Sequence, residues 1–523
     1  MDTARTHREI ISRLLSESTS DIQHVKLEVC RQGGLERIPK NSELLGAAYP
    51  EERELLRRRL MLKPTRTASG VAPVAVMTSP HPCPHGRCLP CPGGPDHPFH
   101  SPQSYTGEEP AALRGREHDY DPFAQVTARL AQFDALGHHV NKVELIVMGG
   151  TITARPREFQ EFFVRRCLDA MNNFPGDAAG LSGSFGEAAL KNEGAKTRCV
   201  AITFETRPDW CRREHIESML ELGVTKVELG VQHLDDRILE MNRRGCNSKD
   251  TIVANTLLRD AGLKVGFHIM PNLYGSTIEQ DRKMFQKLFE DSNLRPDFLK
   301  IYPTLVTPGS ELEHLWRKGE YTPYPEDELL DLLAHAKAML PEYVRLQRIQ
   351  RDIPARLILA GSHHGNIRQL ARNRLEASGG RCRCIRCREV GRNPETGGDI
   401  EFRILSYACC EGEEYFISAC AGERLIGFAR LRFPSQPFLP ELENTTLLRE
   451  LHVYGEMVPV GSRPDEFAWQ HRHIGSELIG IAERRAEDQG FRSLAVMSGV
   501  GVRPYYRRQG YVRAGPYMRK DLG

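Results

Sequence analysis

Lys142-Val-Glu-Leu-Ile-Val-Met-Gly-Gly-Thr151 is a short apolar run, rich in β-branched residues, that stops on two glycines. That is the pattern of a buried strand whose end approaches something closely. Four more such runs follow, at 199–204, 226–230, 264–270 and 298–302. Amphipathic stretches separate the strand runs, at 123–136, 213–222, 249–261 and 278–289. Asp121-Pro122 gives the first of them a helix start, because proline suits the first helical position. The alternation over 76–350 predicts parallel strands in a partial or full TIM-like α/β barrel. Function in such barrels gathers at the C-terminal ends of strands, where Gly149, Gly150, Thr151, Glu205, Gln232 and Met270 fall.

Ahead of these runs, near the start of the predicted barrel, Cys83-Pro-His-Gly-Arg-Cys88-Leu-Pro-Cys91 places three thiols within nine residues. Three thiolates on a loop can ligate three irons of a cubane cluster and leave the fourth open. A closed zinc site is the alternative, with His81, His85 or His97 as its fourth ligand. A second group, Cys382, Cys384 and Cys387, lies among eleven arginines between Pro341 and Val390. Its spacing is that of part of a zinc site, for which His363, His364, Cys409 and Cys410 are candidate fourth ligands.

Composition sets wider limits. At 523 residues the chain has room for two or three domains. With 40% hydrophobic and 27% charged residues it has globular content, and its net charge of +2 averages out local asymmetry. No apolar run approaches a membrane span, and Met1 to Ile10 lacks the basic-then-apolar order of a secretory signal. Fourteen cysteines in that context read as thiols and metal ligands, and a cytoplasmic protein with no membrane partner is expected.

Residues 1–75 read as helical, with a basic run (Arg57, Arg58, Arg59, Lys63, Arg66) that is either a solvated face or a nucleic-acid contact. Residues 176–194 are rich in small residues and read as a mobile loop. The Arg/Cys-rich linker covers 351–395. From 396 to 523, strands at 402–408, 415–419, 425–431 and 447–454, a helix at 474–485 and a strand at 494–496 predict a separate α+β domain.

Three cysteines on a loop before an α/β barrel resemble the radical S-adenosylmethionine (SAM) enzymes. The resemblance implies a 4Fe-4S cluster on Cys83, Cys88 and Cys91. SAM would be held at Gly149, Gly150 and Thr151, with Glu205, Arg207, Gln232 and His268 as further cofactor-facing positions. An electron donor is implied as well. Gln470-His-Arg-His473-Ile-Gly475-Ser476 resembles the acyl-CoA loop of the GNAT N-acetyltransferases, in which a helix N-terminus binds pyrophosphate. His473 stands where that family usually has glycine. The strand Glu450-Leu451-His452-Val453 and the pair Tyr505, Tyr506 fit the same layout. This resemblance implies acetyl-CoA on Ile474, Gly475 and Ser476, with its acyl arm along Glu450, Leu451, His452 and Val453.

The two halves in one chain, with segments such as 63–77, 103–110, 205–209, 228–232, 350–354 and 450–454, resemble the Elongator catalytic-subunit family of tRNA wobble-uridine carboxymethylating enzymes. The short Cys83–Cys88 interval is similar to its stand-alone prokaryotic members. The resemblance implies tRNA, bound at its anticodon stem-loop, as substrate, Lys142, Glu450 and Tyr506 as catalytic residues, and an acetyltransferase domain docked on the barrel mouth. It allows a homodimer. Residues 1–75, the arginines of 344–388 and Arg503, Arg507 and Arg508 are then expected to form a phosphate-binding track. The competing expectations are a protein lysine acetyltransferase with a structural cluster and a non-catalytic RNA-binding scaffold.

Overall fold

Along Lys142–Met148 burial alternates residue by residue. Val143, Leu145 and Val147 are sealed against helices, while Glu144, Ile146 and Met148 face an inner cavity. Lumen-facing residues keep this period on 226–232, where Glu228, Gly230 and Gln232 line the cavity although nearly all of that strand is buried, because one face meets helices and the other a lumen. A computed structural model describes residues 3–16, 21–33, 37–63, 66–67, 69–390, 399–454 and 473–523, apart from the Arg58 side chain.

Seven parallel strands, β1 (Ala72–Met77), β2 (Lys142–Met148), β3 (Arg198–Thr206), β4 (Lys226–Gln232), β5 (Lys264–Ile269), β6 (Phe298–Ile301) and β7 (Arg345–Ile349), pair in sequence order. Among the described residues β1 pairs only with β2, and β7 only with β6, so the barrel is open. β1 begins at Ala72 and therefore inside the segment expected to be the helical N-terminus. Its alternating small residues make it an edge strand against β2. Ahead of it, helices Thr3–Ser16, Ile22–Gly33, Asn41–Ala47 and Pro50–Leu60 close their own core around Ile10, Leu14, Val29, Leu44 and Leu56. The expected mobile loop at 176–194 is corrected in its second half. Phe185–Gly194 is a helix, started by Ser184, whose side chain accepts from the Glu187 N–H.

The second sheet holds β8 (Glu401–Cys409), β9 (Gly412–Ala421), β10 (Arg424–Phe433), β11 (Thr445–Val453), β12 (Ser493–Val496), β13 (Val512–Ala514) and β14 (Tyr517–Asp521), in the order 13-14-12-11-10-9-8. It is antiparallel except between β11 and β12, which run parallel and pair only from Thr445 to Leu448. From Arg449 onward β11 has no ladder partner in β12, so the two strands splay.

This domain docks on the barrel end opposite to the one expected. Its contacts fall at the N-terminal ends of the barrel strands. Arg449 donates to the carbonyl of Leu263 (2.9 Å) and Tyr517 to that of Ala261 (2.8 Å), both just before β5. A Cβ on Gly499 would stand 2.0 Å from the Val200 carbonyl oxygen, so only glycine allows that approach to β3. The joint is sealed by Arg259, Arg430, Arg432 and Arg449 against Asp260, Asp297, Glu414 and Glu450, nearly all fully buried. Such groups are tolerated in a core only when paired, and the pairing fixes one docking geometry.

Among the described residues no helix is long and apolar enough to cross a membrane.

Candidate active site

A cavity of about 1090 Å³ runs through the barrel lumen. Cys83, Cys88 and Cys91 line one end with Gly150, Thr151, Arg207, Gln232 and Arg244. Glu205, Glu228, His268 and Lys300 line the middle, and Arg345, Gln347 and Glu389 the far end.

Each of the three thiols is supplied with polar neighbours. Thr151 Oγ1 lies 3.5 Å from Cys83 Sγ, and Gln103 donates to Cys91 Sγ at 3.1 Å. Cys88 Sγ is 3.1 Å from His85 Nε2 and 3.7 Å from Arg244 Nη1. Burial pushes the Cys83 thiol up and holds His85 down at about 3, so His85 is a neutral ring. Donors aimed at sulfur are the means by which a protein tunes a cluster. Among the described residues, the groups whose ligand atoms converge within 4.8 Å are Cys382, Cys384, Cys387 and Glu205, Glu228, His268. Cys83, Cys88 and Cys91 are not among these groups, so their sulfurs stand wider apart than the ligands of one zinc ion, as suits a cubane.

Beside the thiols, three buried polar atoms have no hydrogen-bond partner among the described residues: His85 Nδ1, Gln232 Oε1 and Arg244 Nε. Gln232 is itself in the left-handed region (φ 70°), a strained backbone for a residue with a Cβ. Gly149 has φ 130°, and a Cβ there would lie 2.1 Å from Thr78 Oγ1. Unsatisfied donors and acceptors at a glycine-lined strand end fit a polar cofactor such as SAM.

The remaining expected cofactor positions are engaged within the protein. Arg207 makes two bonds to Asp209 (3.0 and 2.9 Å) and one to the Arg244 carbonyl (2.9 Å). Glu205 accepts from Tyr105 (2.7 Å) and Lys300 (3.3 Å). His268 Nε2 lies 2.9 Å from Glu228, which also pairs with Lys226 (3.1 Å) and Lys300. Burial pushes the Glu228 carboxyl up, but Lys300 and Lys226 more than offset it and keep it ionised. Burial and Lys300 keep His268 neutral. The lumen thus carries a continuous chain of charged and polar groups from Glu144 to Tyr105.

At the far end, Arg345 bonds Glu389 and the Tyr454 hydroxyl (2.8 Å), one residue beyond β11. His452 Nε2 lies 3.0 Å from the Ser69 carbonyl oxygen. Glu450 is held by Arg430 at 2.7 Å. Leu451 and Val453 lie on the splayed half of β11, paired with Ala429 and Gly427 of β10.

Ile474, Gly475 and Ser476 open the helix Ile474–Asp488. A Cβ on Gly475 would meet Tyr505 Oη at 2.8 Å and Val453 at 3.9 Å, so three expected acetyl-CoA positions converge. Ser476 accepts from Gln509 (3.3 Å), and burial holds the Tyr506 phenol well above its usual range. His473, before this helix, adopts φ 57°, the conformation glycine favours. Gln470 lies outside the described residues. Lys142, at the start of β2 and lowered by burial and by Arg198, belongs to the barrel end on which the second domain sits, since Gly501 packs on Arg198.

Cys382, Cys384 and Cys387 converge, but none of the four nominated fourth ligands joins them. His364 pairs with Glu326 (2.9 Å), His363 is exposed, and Cys409 and Cys410 turn toward the carbonyl groups of Leu294 and Asn293. Buried Lys337, whose Nζ has no hydrogen-bond partner among the described residues, bears electrostatically on Cys387, as suits a group of thiolates.

The expected phosphate track is thinner than the sequence implies. Arg57 pairs with Asp134 (2.6 Å), Arg59 donates to the Leu14 carbonyl, and Arg503 is buried against Glu193 (3.4 Å). Arg507 also pairs with Glu193, at 2.5 Å.

An open parallel barrel with a three-cysteine loop at its mouth and a glycine strand end defines a radical SAM enzyme, and residues 80–288 match the radical SAM superfamily. Residues 296–377 match the radical SAM C-terminal domain and residues 3–68 the ELP3 N-terminal domain. The chain is 46% identical to the tRNA uridine(34) acetyltransferase of Methanocaldococcus jannaschii, over 100% of this chain and 99% of that one. It is 42% identical to Elongator complex protein 3 of Homo sapiens, over 96% and 93%. The solved structure of Methanocaldococcus infernus Elp3 lacking its N-terminus superposes with a TM-score of 0.76 at 42% identity, covering 87% of this chain and 100% of that one. The chain belongs to the Elongator complex protein 3 family.

Missing from the sequence reading were Arg244, Gln103, Tyr105, Glu228, Lys300 and Arg345. For Glu144, Glu228 and Lys300 a signal existed: each is a charged residue inside an otherwise apolar strand, at the lumen-facing parity.

Proposed function

We propose that this enzyme joins the two-carbon unit of acetyl-CoA to C5 of the wobble uridine of tRNA, leaving 5-carboxymethyluridine. The observation that carries this reading is the lumen itself, with the cysteine loop at one end and Arg345, in contact with the end of β11, at the other. When bound on Cys83, Cys88 and Cys91, the cluster and SAM would supply a 5′-deoxyadenosyl radical able to take hydrogen from the acetyl methyl.

The chain's own residues do the rest. Gly149, Gly150, Thr151 and Gln232 hold SAM, and Arg244, Gln103 and His85 hold the thiolates in place. The N-terminus of the helix Ile474–Asp488 takes the pyrophosphate of acetyl-CoA. The acyl arm follows the splayed half of β11, whose backbone lacks a β12 partner. Tyr506, kept neutral by burial, donates a proton to the departing sulfur, while Glu450, fixed by Arg430, shapes the arm's path. Lys142 stands on the acetyl-CoA side of the barrel. The anticodon base, splayed from its loop, enters at the mouth. Zinc on Cys382, Cys384 and Cys387 fastens the linker between the domains.

Anaerobic incubation with dithionite, SAM, acetyl-CoA and tRNA, followed by nucleoside and peptide mass analysis, tests this. Carboxymethyluridine is expected; acetyl-lysine alone would favour a protein acetyltransferase, and no product a scaffold. A smaller prediction concerns His473. Relieving its left-handed backbone with His473→Gly removes about 1 kcal/mol of strain, so calorimetric titration should show coenzyme A binding tightened roughly fivefold. Weaker binding would mean that the imidazole itself contacts the pyrophosphate.

A further inference from the structure

Arg345 sits where the barrel, the cysteine linker and the second sheet meet. Its Nη1 is clamped by Glu389 and by the Tyr454 hydroxyl at 2.8 Å, and its guanidinium lies 5.7 Å from the Tyr454 ring centre. Glu389 is itself almost fully buried, at 3% exposure, and follows Cys387 by two residues. Among the described residues Nε and Nη2 of Arg345 form no hydrogen bond, although the residue lines the cavity. A guanidinium fixed along one edge and open along the other is a preformed fork for two oxygens. Behind it, the Tyr454 ring packs at a tilt, 4.4 Å between centres, against His452, which continues β11 back toward Glu450.

We infer that Arg345 is the acyl-oxygen site of the reaction, binding the thioester carbonyl of the two-carbon unit and afterwards its carboxylate. This rests on the acetyl-CoA reading above. In the step concerned, water adds to the thioester carbonyl carbon and the C–S bond breaks. Coenzyme A leaves as the thiol, and the two-carbon unit ends as a carboxylate with one proton released to solvent. Nothing is oxidised or reduced. Negative charge grows on the carbonyl oxygen during the addition, and a cation fixed beforehand at that oxygen stabilises it without reorganising. Arg345 suits the role because it cannot lose its charge and Glu389 and Tyr454 keep it from turning away. The cysteine linker acquires a role through the same contact, since it sets Glu389 in position.

The test uses the full chain with Arg345→Gln, Arg345→Lys and Glu389→Gln, and three readouts: thiol release from acetyl-CoA, carboxymethyluridine yield, and affinity for coenzyme A without an acyl group. Arg345→Gln should lower thiol release roughly 100-fold, the size of one lost oxyanion donor. Arg345→Lys keeps the charge without the fork and should fall about tenfold, as should Glu389→Gln, which leaves Arg345 in place but loosened. Coenzyme A affinity should stay within about twofold in all three, because the pyrophosphate site lies on another element. Unchanged thiol release in Arg345→Gln would overturn the inference, and so would a parallel loss of coenzyme A affinity, which marks a structural joint only. If the parent enzyme releases no thiol and modifies no uridine, the acetyl-CoA reading itself fails, and a comparison of variants is not needed to see it.

Discussion

A Cys88→Ser variant is expected to form no 5′-deoxyadenosine and to leave tRNA unmodified, while binding coenzyme A as tightly as the parent. Serine offers a hydroxyl where a soft thiolate is required, and three thiolates are the least that can hold a cubane with one open iron. Cys88 is also the thiol with the most cationic neighbour: Arg244 Nη1 lies 3.7 Å away, and Cys88 is the foremost group raising the Arg244 guanidinium against the cost of its burial. Without the thiolate, Arg244 would be a buried cation facing a neutral hydroxyl, so no compensating ligand arises from the surroundings. The proposed coenzyme A positions lie on β11 and the helix Ile474–Asp488, in the domain that docks at the barrel end opposite to the cysteine loop. Deoxyadenosine by chromatography, nucleoside mass analysis of the tRNA and coenzyme A titration read the three expectations separately, and iron content after reconstitution reports the cluster itself. Full modification by this variant would remove the radical assignment.

How much of this was legible in the residues differs by region, for physical reasons. The cysteine loop and Gly149-Gly150 were readable because ligand spacing and close backbone approach demand particular residue types within a few positions. β2 to β6 were readable because their apolar runs recur between amphipathic helices. β7 was not: Arg345-Leu-Gln-Arg-Ile349 is half polar because its lumen face carries charged and amide groups, which reads as a basic loop. The polar lumen was missed for the same reason, since Glu144, Glu228 and Lys300 find partners on different strands, and pairing across a barrel leaves no local trace. Several arginines were misread in the opposite direction. Arg57, Arg59 and Arg503 suggested a phosphate track, yet they meet Asp134, the Leu14 carbonyl and Glu193, partners 45 to 310 positions distant. The docking face was beyond reach as well, because it depends on loops before β3, β5 and β6 that carry no motif.

That docking face gives the second large effect. Asp297→Asn is expected to destabilise the chain by about 3–5 kcal/mol, the usual cost of removing one partner from a buried ion pair. Asp297 is fully buried and accepts from Arg449 at 2.9 and 2.8 Å and from Arg259 at 3.4 Å, with Arg430 at 3.5 Å. Its Oδ2 also accepts from the Val265 N–H of β5 at 2.9 Å. Asparagine can keep part of this geometry but none of the charge. Four guanidinium groups, none of which can deprotonate, would then face Asp260, Glu414 and Glu450 alone. Burial alone would raise the Asp297 carboxyl; Arg259, Arg449 and Arg430 outweigh it and hold it far below the usual range. A carboxyl depressed in the folded state stabilises fully above its unfolded value of about 3.9 and loses that contribution as pH falls below it. The gap between Asp297→Asn and parent in urea unfolding should therefore be constant from about pH 5 to 8 and narrow below about pH 4. Because Arg430 also holds Glu450, the variant should disturb the proposed path of the acyl arm too, and its Michaelis constant for acetyl-CoA should rise before the fold is lost. A change in unfolding free energy below about 1 kcal/mol, or a gap that stays constant into acid, would show that the joint rests on apolar packing and not on this carboxylate.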